Sequence, residues 1–151
     1  MDRVAIALGS NLGDRRAHLD YAVSRLVTVL THPVVSAYIT TTPVDMVGSQ
    51  SDFLNAAAVG DTERSPRELL TMLLAIEDER GRERPHAGAA RTLDLDLVLF
   101  GDRVIDEKDL IVPHARFRER RFVLEPLVQI APALRDPVTG KTVSELLHLL
   151  K

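Results

Sequence analysis

Apolar positions along the chain change period several times, and each change predicts an element. Residues 3–8 (RVAIAL) form a short apolar run that ends in the turn-rich GSNLGD, the pattern of a buried strand. Over 14–30, Leu19, Val23, Leu26 and Leu30 recur at helical spacing and predict an amphipathic helix. The β-branched run VVSAYITTT at 34–42 predicts a strand, and FLNAAAV at 53–59 a second, alanine-weakened one. Between them, 43–51 reads as a loop. Ser65-Pro66-Arg67-Glu68 is a helix start, with a capping serine, proline at the first position and a glutamate that closes a capping box. Leu69, Leu70, Leu73, Leu74 and Ile76 supply that helix's buried stripe, and Gly81 is a plausible stop. An arginine-rich loop at 81–90 leads into RTLDLDLVLF at 91–100, the clearest strand in the chain. Beyond it lie a turn at Gly101-Asp102, a short VID segment, a loop around Pro113-His114, and helices predicted near 118–130 and 142–150.

The order through residue 100 is β-α-β-β-α-β. That order predicts an α+β fold of the ferredoxin-like kind, an antiparallel sheet with helices on one face and C-terminal helical additions. The other face is left for those additions or for ligands. With 151 residues the chain is expected to be one domain, 1–151.

Charge sharpens this picture. Net charge is −3, which speaks against a general nucleic-acid binder. Yet sixteen of the nineteen basic residues are arginines, and eight of these fall in the windows 80–91 and 116–121. Arginine offers a planar fork of donors matched to phosphate or carboxylate oxygens, so local clusters in an acidic chain point to a small anionic ligand. Cysteine is absent, which excludes disulfides and thiolate metal sites. No run resembles a signal peptide or the roughly 20 apolar residues of a membrane span, so a cytoplasmic protein with no membrane partner is expected.

The chemistry centres on the strand 91–100. Side chains alternate along a strand, so Asp94 and Asp96 share a face, their Cα atoms about 6–7 Å apart. Leu93, Leu95, Leu97 and Leu99 are expected to point the other way, and the aspartate face to continue into Val98 and Phe100. A solvated strand face would explain the charges cheaply. Aspartate is nonetheless a poor strand former, and a divalent cation would offset the repulsion between the pair. Mg²⁺ suits this donor set, because it takes a few carboxylates together with water and phosphate oxygens. Arg82, Arg84 and Arg91 precede the pair, and His114, Arg116, Arg118, Arg120 and Arg121 follow it, the mixture that phosphoryl transfer uses. Ion pairing of Arg80, Arg82 and Arg84 with Glu77, Glu79 and Glu83 is the plainer reading of the first cluster. GSNLGD lacks the endings of nucleotide-binding glycine loops and reads mainly as a turn. His18, His32, His86 and His148 lack metal-ligand spacing.

Four stretches in order, AIALGSNLGD, TTPVDMVGSQSDFLNAA, ARTLDLDLVLFG and IVPHARFRERRFVLEPL, resemble successive motifs of the 6-hydroxymethyl-7,8-dihydropterin pyrophosphokinases. The resemblance runs from about residue 4 to about 134. It implies a ferredoxin-like fold and transfer of pyrophosphate from ATP to the hydroxymethyl group of the pterin, with release of AMP in folate biosynthesis. It also implies two Mg²⁺ ions on Asp94 and Asp96. Arg82 and Arg91 would assist transfer, and Glu77, Arg84, His114 and Arg120 would attend the nucleotide. On the pterin side it implies Thr42, Pro43, Val44 and Asn55 at the ring edge, with Phe53 and Phe122 on the ring faces. The chain departs from the family's habits at Phe53, where Tyr is frequent, at Ala87-Gly88-Ala89-Ala90 ahead of Arg91, where Trp and Pro are usual, and at Asp109, where some members are basic. ATP and a dihydropterin are therefore the expected partners, with no nucleic acid and a monomeric chain. The loops 43–51 and 81–90 are polar and long enough to serve as lids. Two rivals share parts of this pattern: an RNA-binding module on the same frame, and another Mg²⁺-dependent phosphotransferase or phosphohydrolase.

Overall fold

The computed structural model describes residues 1–41, 52–80 and 92–150. Its elements run β1 (Asp2–Ser10), α1 (Arg15–Val29), β2 (Thr31–Val35), β3 (Ile39–Thr41), β4 (Phe53–Thr62), α2 (Pro66–Glu79), β5 (Asp94–Phe100), β6 (Ile105–Glu107), β7 (Leu110–Val112), a 3₁₀ turn (Phe117–Glu119), α3 (Arg121–Ile130) and α4 (Val143–Leu149). The main sheet is ordered β2-β4-β1-β5, with β3 also on β4, and every pairing is antiparallel. Counting β2 and β3 as one interrupted strand, this is the expected β-α-β-β-α-β arrangement.

The predicted capping box forms, and a second, not predicted, starts α4. Ser65 Oγ accepts the Glu68 N–H at 3.1 Å while Glu68 accepts the Ser65 N–H at 2.8 Å, and Thr142 and Glu145 repeat the exchange at α4. These bonds satisfy helix-end donors that would otherwise lack partners.

The predicted strand at 34–42 is split. The Ser36 N–H still donates to the Ala57 carbonyl at 2.9 Å, but the Ala57 N–H goes to the Ser36 hydroxyl, which donates to the Ala37 carbonyl, so a side chain takes over one ladder bond and lets the backbone turn between β2 and β3. The alanines that weaken β4 on propensity suit its setting, because residues 54–60 are buried under layers on both sides. The predicted 118–130 helix becomes the 3₁₀ turn followed by α3. The strand β7 lies where the sequence suggested only a loop.

Two apolar layers flank the sheet. Val4, Ile6 and Leu8 face α1 and α2 with Leu95 and Leu97, whereas Ala5, Ala57 and Val59 face α3 and α4 with Val98. Leu99 and Phe100 reverse the expected alternation. Ile6 pairs with Leu97 and Ala5 with Leu99, so the ladder skips Val98. A bulge of this kind shifts the side-chain phase by one residue. Leu99 consequently packs on the aspartate side and Phe100 enters the helical layer.

Candidate active site

The aspartate face is only partly roofed by α3 and α4, and its open end carries the chemistry. Directly opposed residues on antiparallel strands project to the same face. The register therefore writes two rows across three strands: Asn55–Gly9–Asp94 and, below it, Ala57–Ala7–Asp96. Each row places small residues of β1 between a residue of β4 and an aspartate of β5. Two strand spacings separate Asn55 from Asp94, about 10 Å between Cα atoms. The result is a shelf with an amide at one side, two carboxylates at the other and almost no side chain between them.

Gly9 makes the shelf possible. A Cβ there would lie 3.1 Å from Asn55 Oδ1, closer than most side-chain contacts, so glycine lets that amide sit where it does without displacement. Asn55 is buried, and its Nδ2 donates to Thr41 Oγ1 at 2.6 Å. The neighbouring Ser10 hydroxyl donates to the Thr92 carbonyl, tying the end of β1 to the chain just before Asp94. Beyond it, the buried Asn11 Oδ1 has no partner among the described residues. GSNLGD thus does more than turn the chain, a role its spacing alone did not signal.

Asp94 and Asp96 are half-buried, and the buried Leu95 lies between them with its N–H donated to Glu77 Oε2 at 2.7 Å. Glu77 sits in the last turn of α2 at 2% exposure. The resemblance assigned it to the nucleotide, and its Oε2 also engages the β5 backbone. The two aspartates are hard oxygen donors on one face beside Gly9 and Ala7. Among the described residues no group of three or more His, Asp or Glu gathers around one point. That set fits Mg²⁺, which binds few protein carboxylates and completes its shell with water and phosphate.

His114 approaches the same end. Its N–H donates to the carbonyl of Val98, the bulged residue of β5, at 2.9 Å. Its pKa is lowered, first by burial and then by the Arg120 charge, while Asp94 pulls it the other way. His114 thus lies within electrostatic reach of both an expected phosphate contact and an expected metal ligand.

The second arginine cluster sorts into different tasks. Arg116 pairs with Glu119 at 3.2 Å, Arg118 with Asp136 at 2.6 Å and Arg121 with Glu125 at 3.1 Å. Arg120 joins no carboxylate among the described residues, and its guanidinium lies 5.6 Å over the Phe122 ring. Phe122, on α3, and Phe53, on β4 beside Asn55, are both half-buried on the aspartate side of the sheet. Asp109 is accounted for by Arg67, which reaches it at 2.9 Å and Glu107 at 2.6 Å. Arg80 donates to His18 Nδ1 at 3.1 Å and lies over Tyr21, while Glu79 takes Arg25 and Tyr21. Burial, with the Arg80 charge, lowers the His18 pKa. Thr42, Pro43, Val44, Arg82, Arg84 and Arg91 lie outside the described residues, as do both expected lids.

The sequence model of the family described as 7,8-dihydro-6-hydroxymethylpterin-pyrophosphokinase matches residues 5–132. A protein of Pseudomonas aeruginosa named 2-amino-4-hydroxy-6-hydroxymethyldihydropteridine pyrophosphokinase is 41% identical over 152 residues, covering 97% of this chain and 91% of its own length. One of the same name from Bacillus subtilis is 42% identical over 143 residues, covering 93% and 85%. A crystal structure of wild-type Plasmodium falciparum HPPK-DHPS with pteroate superposes on 97% of the chain, with a TM-score of 0.77 at 15% identity. This chain spans 42% of that longer protein, and the likeness is one of fold.

Proposed function

The chain belongs to the 7,8-dihydro-6-hydroxymethylpterin-pyrophosphokinase family, and we propose that the Asn55–Gly9–Asp94 shelf is where its two substrates meet. It is an ATP-dependent diphosphokinase that transfers pyrophosphate from ATP to the hydroxymethyl group of 6-hydroxymethyl-7,8-dihydropterin in folate biosynthesis. In that reaction the hydroxymethyl oxygen bonds to the β-phosphorus and the bond from that phosphorus to the α-phosphate oxygen breaks. AMP leaves, and the hydroxyl proton passes to solvent or to a phosphate oxygen.

The register of β4, β1 and β5 is the observation that carries the division of labour. Asn55 meets the polar edge of the pterin, because a buried amide needs hydrogen-bonding partners that a pterin offers. Phe53 and Phe122 take the ring faces, as aromatic side chains readily do. The hydroxymethyl arm then extends over Gly9 toward Asp94 and Asp96. Those carboxylates would hold Mg²⁺, two ions in this reading, which when bound would neutralise phosphate charge. Arg120 and His114 meet the triphosphate from the following turn. By the family resemblance Glu77, besides holding β5, attends the nucleotide with Arg82, Arg84 and Arg91, and Thr42, Pro43 and Val44 attend the pterin. Positioning and charge neutralisation account for most catalysis of this class, and no covalent intermediate on the protein is required.

The whole chain, 1–151, works as a single domain and as a monomer with ATP and the dihydropterin as its only partners. Among the described residues no helix is long and apolar enough to cross a membrane. A cytoplasmic location is our reading of a biosynthetic reaction on small polar substrates. An RNA-binding module on the same frame is not favoured. Its bases would need stacking aromatics, whereas β1, β4 and β5 offer Phe53 alone on this face, next to two carboxylates that repel phosphate. A direct test supplies ATP, Mg²⁺ and 6-hydroxymethyl-7,8-dihydropterin and follows the nucleotide product. AMP that appears only with pterin is expected; ADP, or ATP hydrolysis without pterin, would sink the reading.

A further inference from the structure

One carboxylate is fully buried and has no part in the chemistry above. Asp136 lies in the turn between α3 and α4 at 0% exposure. Its oxygens accept the Arg118 fork, Nε at 2.6 Å and Nη2 at 3.0 Å, together with the Val138 N–H at 3.0 Å and the Thr139 hydroxyl at 2.7 Å. Four donors on two oxygens fix the carboxylate in place. Arg118 in turn lies over Phe117, 4.8 Å from the ring centre, and Phe117 is sealed in the core under α3.

Those two anchored residues sit between His114 and Arg120. The intervening backbone is a tight turn: the His114 carbonyl accepts the Phe117 N–H, Arg116 the Glu119 N–H at 3.1 Å, and Phe117 the Arg120 N–H at 3.2 Å. The Arg120 carbonyl then accepts from Val123 and Leu124 and starts α3. Four arginines within six residues repel one another, and the turn that carries them is short. A buried anion bonded to Arg118 removes that residue from the competition for phosphate and fixes the turn from behind.

We propose that Asp136 is a positioning residue for nucleotide binding: through Arg118 it holds the 114–120 turn in the shape that presents His114 and Arg120 to the ATP phosphates. The proposal rests on the reading that His114 and Arg120 face the nucleotide. A purely structural brace would stabilise the fold and leave both substrate affinities alone, so the affinities separate the two roles.

The experiment is calorimetric titration of Asp136→Asn, well below its unfolding midpoint, with Mg²⁺ and a non-hydrolysable ATP analogue and separately with the pterin. Affinity for the analogue is expected to fall about tenfold and that for the pterin less than twofold. Arg118→Lys keeps the charge without the fork; it should show the same split at about threefold, and it carries the test if Asp136→Asn does not fold. In an Arg120→Ala background, Asp136→Asn should weaken the analogue less than in the parent, since both act on one contact. Equal losses for both ligands, or no loss for the analogue, would overturn the proposal. If Arg120→Ala itself leaves analogue affinity unchanged, the underlying assignment of the turn to the nucleotide is what has failed, and the proposal falls with it.

Discussion

Glu77 Oε2 accepts the backbone N–H of Leu95 at 2.7 Å, so a helix carboxylate grips β5 at the residue between the two aspartates. The bond crosses from α2 to an edge strand that at this end is also held by the β1 ladder, by the Ser10 hydroxyl on the Thr92 carbonyl and by the Thr92 hydroxyl on the Arg80 carbonyl at 3.2 Å. It fixes the strand's height against α2 and, with it, where Asp94 and Asp96 stand above the sheet. Glu77→Ala leaves a buried amide unpaired, a loss of about 1–3 kcal/mol of stability. Glu77→Gln keeps an acceptor and should recover most of it. Urea unfolding of both variants, with turnover measured at saturating substrates, checks this: turnover should fall further in Glu77→Ala than in Glu77→Gln.

Gly9→Ala tests the shelf from its middle. The added methyl would meet Asn55 Oδ1 at 3.1 Å, closer than ordinary contact, and nothing in the backbone otherwise forbids alanine. Asn55 must shift, and Thr41 holds its other end. The expected outcome is a severalfold rise in KM for the pterin with KM for ATP little changed and a modest drop in stability. A variant that binds the pterin as the parent does would show that Asn55 is not held by Gly9.

Much of this arrangement was legible in the chain. The β-α-β-β-α-β order, the Ser65–Glu68 capping box and the shared face of Asp94 and Asp96 follow from local pattern, because helix starts and strand alternation are written in neighbouring residues. The Val98 bulge was not legible: register depends on the partner strand, and nothing near Leu97 announces a skipped residue. The roles of Gly9 and Glu77 were hidden for the same reason, since each acts on a residue far away in sequence. Arg118 and Arg120 look alike in the chain, and a carboxylate at 136 decides which of them is ion-paired.

Acid should act on the fold through Asp136. Burial would raise its pKa, but Arg118, Thr139 and the Val138 N–H reverse that and hold it at about 2. A carboxyl depressed in the folded state contributes stability that is present above its unfolded value, near 4, and lost as pH falls through about 2. Urea unfolding of the parent and Asp136→Asn at pH 6, 4 and 2.5 checks this. The stability gap between them should be widest at pH 6, still nearly complete at pH 4 and clearly smaller at pH 2.5. A gap that does not shrink would show that the charge of Asp136 contributes nothing.

Asp96→Ala should leave the fold intact, because Asp96 is half-exposed and flanked by Ala7 rather than packed against a core side chain. Turnover should drop by at least about a hundredfold, the loss expected when a site gives up several kcal/mol of metal-borne charge stabilisation. Circular dichroism checks the fold, and Mg²⁺ titration of the variant with an ATP analogue checks the cause: half-saturation should need far more Mg²⁺. Unchanged turnover would remove the metal role from Asp96.

The sorted arginines make the last prediction. Arg116 and Arg121 are exposed and pair with Glu119 and Glu125 within their own segments, pairs worth at most about 1 kcal/mol each. Arg120 is half-buried, stacked on Phe122 and engaged with no carboxylate among the described residues. Replacing each by alanine therefore should not give graded losses along the cluster. Arg120→Ala should raise KM for ATP at least tenfold, since an arginine–phosphate hydrogen bond is charge-assisted and strong. Arg116→Ala and Arg121→Ala should stay within about twofold of the parent. Because Arg120 also covers Phe122, its loss should bring a smaller rise in KM for the pterin, which neither neighbour shares. Steady-state kinetics with each substrate varied in turn separates these outcomes, and equal effects at all three positions would mean that the cluster acts only through its summed charge.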